Sequence, residues 1–124
     1  CSLVGSEMCI RDSRYQKPLF IVENGLGSND VLSHDSVEDT YRIGYLREHI
    51  RAMRDAVCED GVDLMGYTTW GCIDLISAST GEMRKRYGYI YVDKDEDHNG
   101  TLKRYKKKSF SWYAHVIQSN GENL

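Results

Sequence analysis

Glu23 stands directly behind the apolar run Leu19-Phe20-Ile21-Val22 and directly before Asn24-Gly25. Parallel α/β folds gather their chemistry at the carboxyl ends of strands, where side chains project into the mouth of the sheet. A carboxylate in that place has a functional reading, and a plain alternative as a solvated residue entering an Asn-Gly turn. Trp70 ends a second apolar stretch, "VDLMGYTTW", in the equivalent position. Its ring could pack against the C–H face of a sugar or simply belong to the core. Beyond it the chain turns basic and tyrosine-rich in "STGEMRKRYGYIYVD". That segment is either an ordinary polar loop or a site for the phosphate of a sugar presented by the strand.

Three other patterns carry less. The run "KRYKKK", Lys103 to Lys108, suggests an anion patch but reads better as a solvated loop before the last helix. In "DKDEDHNG", Asp95, Asp97, Asn99 and Gly100 match the first positions of an EF-hand loop. Position twelve would be Lys106 instead of a bidentate glutamate, and no helix pair flanks it, so calcium is excluded. His34, His49, His98 and His115 are scattered without ligand spacing, and no metal is expected. Cys1, Cys9, Cys58 and Cys72 form no C-x-x-C pair and read as reduced thiols.

The elements that must position these residues follow from pattern. A short continuous apolar run between Pro18 and Asn24-Gly25 predicts a strand buried on both faces. Residues 39–59 turn helical: Leu46, Ile50, Met53 and Val57 make one apolar stripe, Asp39 or a neighbour can cap the start, and Gly61 suits the end. "VDLMGYTTW" is then a second strand. Strand, helix and strand make a βαβ unit with parallel strands. "YGYIYVD" alternates as a short strand or hairpin arm, and "SFSWYAHVIQSNG" predicts a closing helix with Phe110, Tyr113, Ala114 and Ile117 on one side. One βαβ unit cannot cover both faces of its own sheet, so the chain reads as the end of a doubly wound sheet or a (β/α) barrel.

Composition sets the bounds. At 124 residues, 28% charged and 40% hydrophobic, the chain suits one modest globular domain. Sixteen basic against nineteen acidic side chains give a net charge of −3, which argues against a general nucleic-acid binder. No apolar run approaches the roughly eighteen residues of a membrane span. The opening "CSLVGSEMCIRDS" has neither the charged n-region nor the apolar h-region of a signal peptide, and residues 1–13 are expected to be a non-native leader, leaving 14–124 as the folded part.

Taken in order, "PLFIVENGLG", "DTYRIGYLREHIRAM", "GVDLMGYTTWGCIDLISASTGEMRKRYGYIYVD" and "KKSFSWYAHVI" resemble the C-terminal quarter of glycoside hydrolase family 1. The resemblance implies a (β/α)8 TIM barrel, of which this α/β chain holds strands seven and eight with their helices. It implies that Glu23 of "ENG" is the catalytic nucleophile. Retaining glycosidases set two carboxyl groups about 5–5.5 Å apart, one ionised to attack the anomeric carbon and one protonated to release the leaving oxygen. The partner lies in an earlier "NE" sequence outside this chain, so the chain alone should be inactive. It should also be poorly folded or aggregation-prone, with its sheet edges and helix stripes uncovered.

In family members that act on plain sugars the second strand leads into W-S-L-L-D-N-F-E-W. Counted from Trp70, the glutamate of that pattern falls on Ser77 and its second tryptophan on Ala78. A carboxylate would repel a sugar 6-phosphate, whereas serine offers an uncharged donor. The resemblance is therefore to the 6-phospho-β-glucosidase branch and implies Ser77, Lys85 and Tyr87 as phosphate partners, with Trp70 against the sugar. Arg84 or Arg86 could share the phosphate, and Ala78 favours glucose-type over galactose-type substrates. The expected activity is retaining hydrolysis of 6-phospho-β-glucosides such as cellobiose 6-phosphate, in the cytoplasm, with no cofactor. The alternatives are an unphosphorylated β-glucosidase, or a non-catalytic remnant that holds a phosphosugar.

Overall fold

The computed structural model describes residues 3–124. Its elements run α1 (Leu3–Tyr15), β1 (Leu19–Ile21), α2 (Thr40–Cys58), β2 (Leu64–Tyr67), β3 (Ile90–Val92), β4 (Arg104–Lys106) and α3 (Lys108–Gln118). β1 and β2 pair in parallel, with Leu19 opposite Leu64 and Ile21 opposite Tyr67. The expected βαβ unit is thus present, with α2 as its crossover. β3 and β4 form a separate antiparallel hairpin with Tyr91 opposite Tyr105.

Period-two alternation divides the first strand. Leu19 and Ile21, with Leu64 and Tyr67 of β2, pack on a core of Met8, Met53, Ala56 and Val62. Phe20, Val22 and Met65 face outward and are 46%, 67% and 65% exposed. The strand expected to be buried on both faces is therefore buried on one. Within this chain the helices pack on the Leu19 and Ile21 side of the strands.

The sequence reading gave residues 1–13 no element. The structure carries a helix through this segment from Leu3, and Met8 is buried at 4% exposure against α2. Its neighbour Cys9 points its thiol at Asp60 Oδ2, 3.1 Å away, and this bond raises the thiol's pKa above its ordinary value. Cys9, Cys58 and Cys72 are free thiols, and Cys1 lies outside the described residues.

Helix α2 keeps its predicted span, but its buried face is rotated. Arg42, Ile43, Leu46, Ala52, Met53 and Ala56 are buried, whereas Val57 of the predicted stripe is 42% exposed. The helix ends as expected, with Gly61 at φ 69°, a conformation that glycine adopts without Cβ strain. Its start differs. Asp39 makes no side-chain cap on α2; its carboxylate instead accepts from Ser109 N at 2.8 Å and Ser109 Oγ, in the first turn of α3. One residue thus begins one helix and caps another, joining points 70 positions apart in the chain. On α3 the buried residues are Ser109 and Val116, and the expected apolar Ile117 is 62% exposed. No helix among the described residues is long and apolar enough to cross a membrane.

Candidate active site

The segment leaving β1 is fixed from both sides. Trp70 N donates to Asn24 O at 2.8 Å, and the Tyr67 hydroxyl donates to Asn24 Oδ1 at 2.9 Å. Burial pushes the Tyr67 hydroxyl well above its ordinary pKa, so it stays a neutral donor. Gly25 closes the junction: a Cβ there would fall 1.9 Å from the Trp70 carbonyl oxygen. The Trp70–Gly71 peptide is cis. Glu23 and Trp70, the two residues expected at the strand ends, are therefore carried on backbones that touch. Glu23 is exposed, at the rim of a cavity of about 460 Å³ shared with Phe20, Val22 and Asn24. Trp70 is 37% exposed, which leaves part of its ring free.

The basic hook comes back to the same loop. Ser28 and Arg86 exchange two backbone hydrogen bonds, 3.0 and 2.9 Å, five residues beyond Glu23. Lys85 and Tyr87, on either side of Arg86, are half-buried, with the Lys85 ammonium 5.8 Å from the centre of the Tyr87 ring. The pair lies against Gly27. Ser77 lies where the hook begins. It is 3% exposed, its amide donates to Glu82 O at 3.0 Å, and its hydroxyl lies 3.4 Å from Ser79 Oγ. The structure thus brings Lys85 and Tyr87 together beside the Glu23 loop, with Ser77 at the head of the hook in the turn that its carbonyl closes with Gly81 N.

The two arginines that flank Lys85 have different surroundings. Arg86 is buried: it donates to Asp74 Oδ2 at 3.1 Å, Val92 O at 2.8 Å and Lys94 O at 2.7 Å, and its guanidinium sits 3.9 Å from the Tyr91 ring centre. Arg84 is exposed and paired with Glu82. Of the two arginines expected as possible phosphate partners, Arg86 is engaged in the interior and Arg84 stands at the surface. Arg86 turns inward, while the Lys85 stem and the Tyr87 ring on either side of it lie against Gly27.

Arg86 belongs to a buried cluster that pattern reading missed. Lys107 is 1% exposed and donates from Nζ to Asp30 Oδ2 at 2.5 Å and Asp74 Oδ1 at 2.7 Å. Arg42 reaches Asp30 at 3.1 Å and Arg86 O at 3.0 Å, and approaches Asp39 at 3.5 Å. The "KRYKKK" run was read as a solvated loop, but Arg104–Lys106 is strand β4 and Lys107 is interior. Two carboxylates far away in sequence hold it there, a contact no local spacing announces. A partial signal was legible for Asp74, a lone acid in the apolar stretch Ile73–Ile76.

The segment "DKDEDHNG" is the hairpin tip. Asp95 Oδ1 accepts from Asn99 N at 2.8 Å, and Glu96 takes the amides of Met83 (3.1 Å) and Arg84, tying the tip to the hook. Among the described residues no cluster of three or more His, Cys, Asp or Glu side chains could hold a metal.

Comparison with known proteins fits this geometry. The 6-phospho-β-glucosidase AscB of Escherichia coli (strain K12) is 66% identical over 112 residues, covering 90% of this chain and 23% of its own length. The phospho-cellobiase of Klebsiella oxytoca is 63% identical over 90% of this chain and 24% of its own. The chain thus spans about a quarter of the length of these relatives. Among solved structures, the family 1 β-glucosidase of Thermotoga maritima superimposes on 95% of this chain and 26% of its own with a TM-score of 0.84 at 35% identity, so the two strands and their helices are a portion of a (β/α)8 barrel. The family model of Glycosyl hydrolase family 1 matches residues 5–122, essentially the whole segment that carries the strand-end carboxylate, the tryptophan and the basic hook. The chain belongs to glycosyl hydrolase family 1, in the branch of its phospho-β-glucosidase relatives.

Proposed function

We propose that this chain supplies the nucleophile and the phosphate-holding side of a retaining 6-phospho-β-glucosidase. One observation carries the reading: the Ser28–Arg86 bridge seats Lys85 and Tyr87 against the loop that leaves Glu23. The candidate nucleophile and a cation with a neutral donor thereby border one short loop, residues 23–28. The names of the relatives at 62–66% identity support the same substrate class.

In this reading a Glu23 carboxylate oxygen attacks the anomeric carbon of the phosphorylated glucoside. The bond to the aglycone oxygen breaks as a second carboxyl group, outside this chain, delivers its proton there. Water deprotonated by that same group then attacks the glycosyl ester and releases the sugar phosphate, with Glu23 regenerated. Two inversions give net retention. Trp70 backs the sugar. Lys85 makes the charge-assisted contact to the phosphate, and Tyr87 and Ser77 add neutral donors. A serine where plain-sugar members carry a carboxylate removes a like charge from the phosphate's surroundings. Ala78 beside it suits a glucose-type sugar. No cofactor takes part, and a phosphorylated, membrane-impermeant substrate argues for work in the cytoplasm.

The test is a chimera in which this chain replaces the aligned quarter of the Escherichia coli relative. It should hydrolyse p-nitrophenyl β-glucoside 6-phosphate with far higher kcat/KM than the unphosphorylated glucoside. Glu23→Gln should lower kcat by roughly 10⁴-fold or more, as loss of a nucleophile does. The unattached chain, lacking the proton donor, should turn over neither substrate. Equal rates on the two glucosides would establish the plain β-glucosidase instead. Wild-type-like turnover by Glu23→Gln would remove the nucleophile from Glu23.

A further inference from the structure

Gly27 lies four residues beyond Glu23, where the nucleophile's loop meets the hook. Its backbone does not require a glycine: the glycines at positive φ are Gly61, Gly81, Gly100 and Gly121 among the described residues. Space is what excludes a side chain. A Cβ on Gly27 would lie 2.6 Å from Tyr87 Cζ, 2.8 Å from its Cε1 and 2.9 Å from Lys85 Cγ, inside the range that carbon atoms tolerate. The phenol of Tyr87 and the stem of Lys85 fill the gap that this missing methyl leaves.

We propose that Gly27 is a specificity-determining residue, which sets the span between the reacting carboxylate and the groups that hold the substrate's phosphate. The proposal rests on the reading of Lys85 and Tyr87 given above. In one sugar ring the anomeric carbon and the 6-phosphate are a nearly fixed distance apart, so attack geometry and phosphate capture coincide only if both protein sites keep that span. The hook's backbone cannot yield to a methyl on Gly27. It is tied to Ser28 by two hydrogen bonds at Arg86, and the Arg86 side chain is anchored in the interior on Asp74, Val92 O and Lys94 O. Only the two side chains are free to move. The closest atom, Tyr87 Cζ, carries the hydroxyl itself, so a methyl there pushes the neutral donor and the lysine stem outward together. Substrates without a phosphate make no demand on either group.

The experiment compares Gly27→Ala, Lys85→Met and the parent in the chimera, measuring kcat and KM for p-nitrophenyl β-glucoside 6-phosphate and for the unphosphorylated glucoside. Gly27→Ala should raise KM for the phosphorylated substrate about tenfold or more, the scale of one charged hydrogen bond, with a much smaller change in kcat. Its preference for the phosphorylated substrate should fall by the same factor. Glucose 6-phosphate, as a competitive inhibitor, should weaken in parallel, a change that mere loss of folded enzyme would not produce. Equal losses on both substrates would overturn the proposal, because Gly27 would then act on Glu23 alone. Unchanged constants on both would overturn it too. If Lys85→Met loses the preference and Gly27→Ala keeps it, the phosphate reading stands and Gly27 has no part in it. If Lys85→Met keeps the preference, the phosphate reading fails and the proposal falls with it.

Discussion

Replacing Lys107 by methionine tests whether the buried cluster holds the hook. The side chain keeps its length and loses its charge. In the parent, three cations (Arg42, Arg86, Lys107) face three carboxylates (Asp30, Asp39, Asp74), all buried, so the cluster is neutral. Lys107→Met leaves two cations against three carboxylates and takes from Asp30 and Asp74 their shortest contacts to a cation, 2.5 and 2.7 Å. Breaking a buried pair from one side costs about 3–5 kcal/mol, because the remaining charge stays desolvated. That is several times the value of an exposed pair such as Arg51–Glu48, whose side chains are 46% and 68% exposed.

The assay is urea denaturation of the chimera, with amide hydrogen exchange across the hook. The midpoint should fall by the equivalent of about 3–5 kcal/mol at unchanged slope. Exchange should quicken at Ser28 and Arg86, because Asp74 also holds the Gly88 amide at 2.9 Å and Arg86 at 3.1 Å. Adding Asp74→Asn restores neutrality at two against two, so the double variant should be more stable than the sum of the single losses. A loss below about 1 kcal/mol, the range of surface pairs, would refute the account. Strict additivity would refute it as well, since independent losses mean that Lys107 and Asp74 do not share one cluster.

Two further outcomes follow from the same geometry. Ser77→Glu returns a carboxylate to the place where plain-sugar members carry one, and should raise KM for the phosphorylated glucoside by about tenfold or more while improving the unphosphorylated one relative to it; an unaltered ratio of the two kcat/KM values would count against Ser77 as a phosphate neighbour. Asp93 accepts from the Thr101 hydroxyl at 2.6 Å and its amide at 3.0 Å, which hold its pKa below the usual carboxylate value. A depressed folded pKa gives stability that is present above the unfolded value, near 4, and is lost as pH falls through the folded one. The β3–β4 hairpin should therefore loosen below about pH 4, and Asp93→Asn should flatten that dependence; exchange of the hairpin amides against pH measures it.

The parts of this fold legible in the sequence are those written in local spacing. Leu19 to Val22 between Pro18 and Asn24-Gly25, the apolar stripe from Leu46 to Met53 and the glycine after α2 each specify an element within a few residues of themselves. Glu23 and Trp70 were equally legible, because the end of a strand is itself a position in a pattern. What escaped has the opposite character. Arg42 reads as one more charge on an amphipathic helix, and Lys107 as one more lysine in a basic run. Their burial is dictated by Asp30 and Asp74, 12 and 33 positions away, and Asp39 caps a helix 70 positions on. Charge that is buried only because a distant opposite charge awaits it leaves no periodicity to detect. Yet this cluster anchors the hook: Arg86 is drawn inward by Asp74, and the residues on either side of it, Lys85 and Tyr87, lie against Gly27. The candidate substrate residues are thus named by pattern and family resemblance, while the contacts that anchor their backbone emerge only from the folded chain. The backbone that carries Lys85 and Tyr87 is thus fixed by a neutral buried cluster, through Arg86 and Asp74, as much as by its own bridge to Ser28.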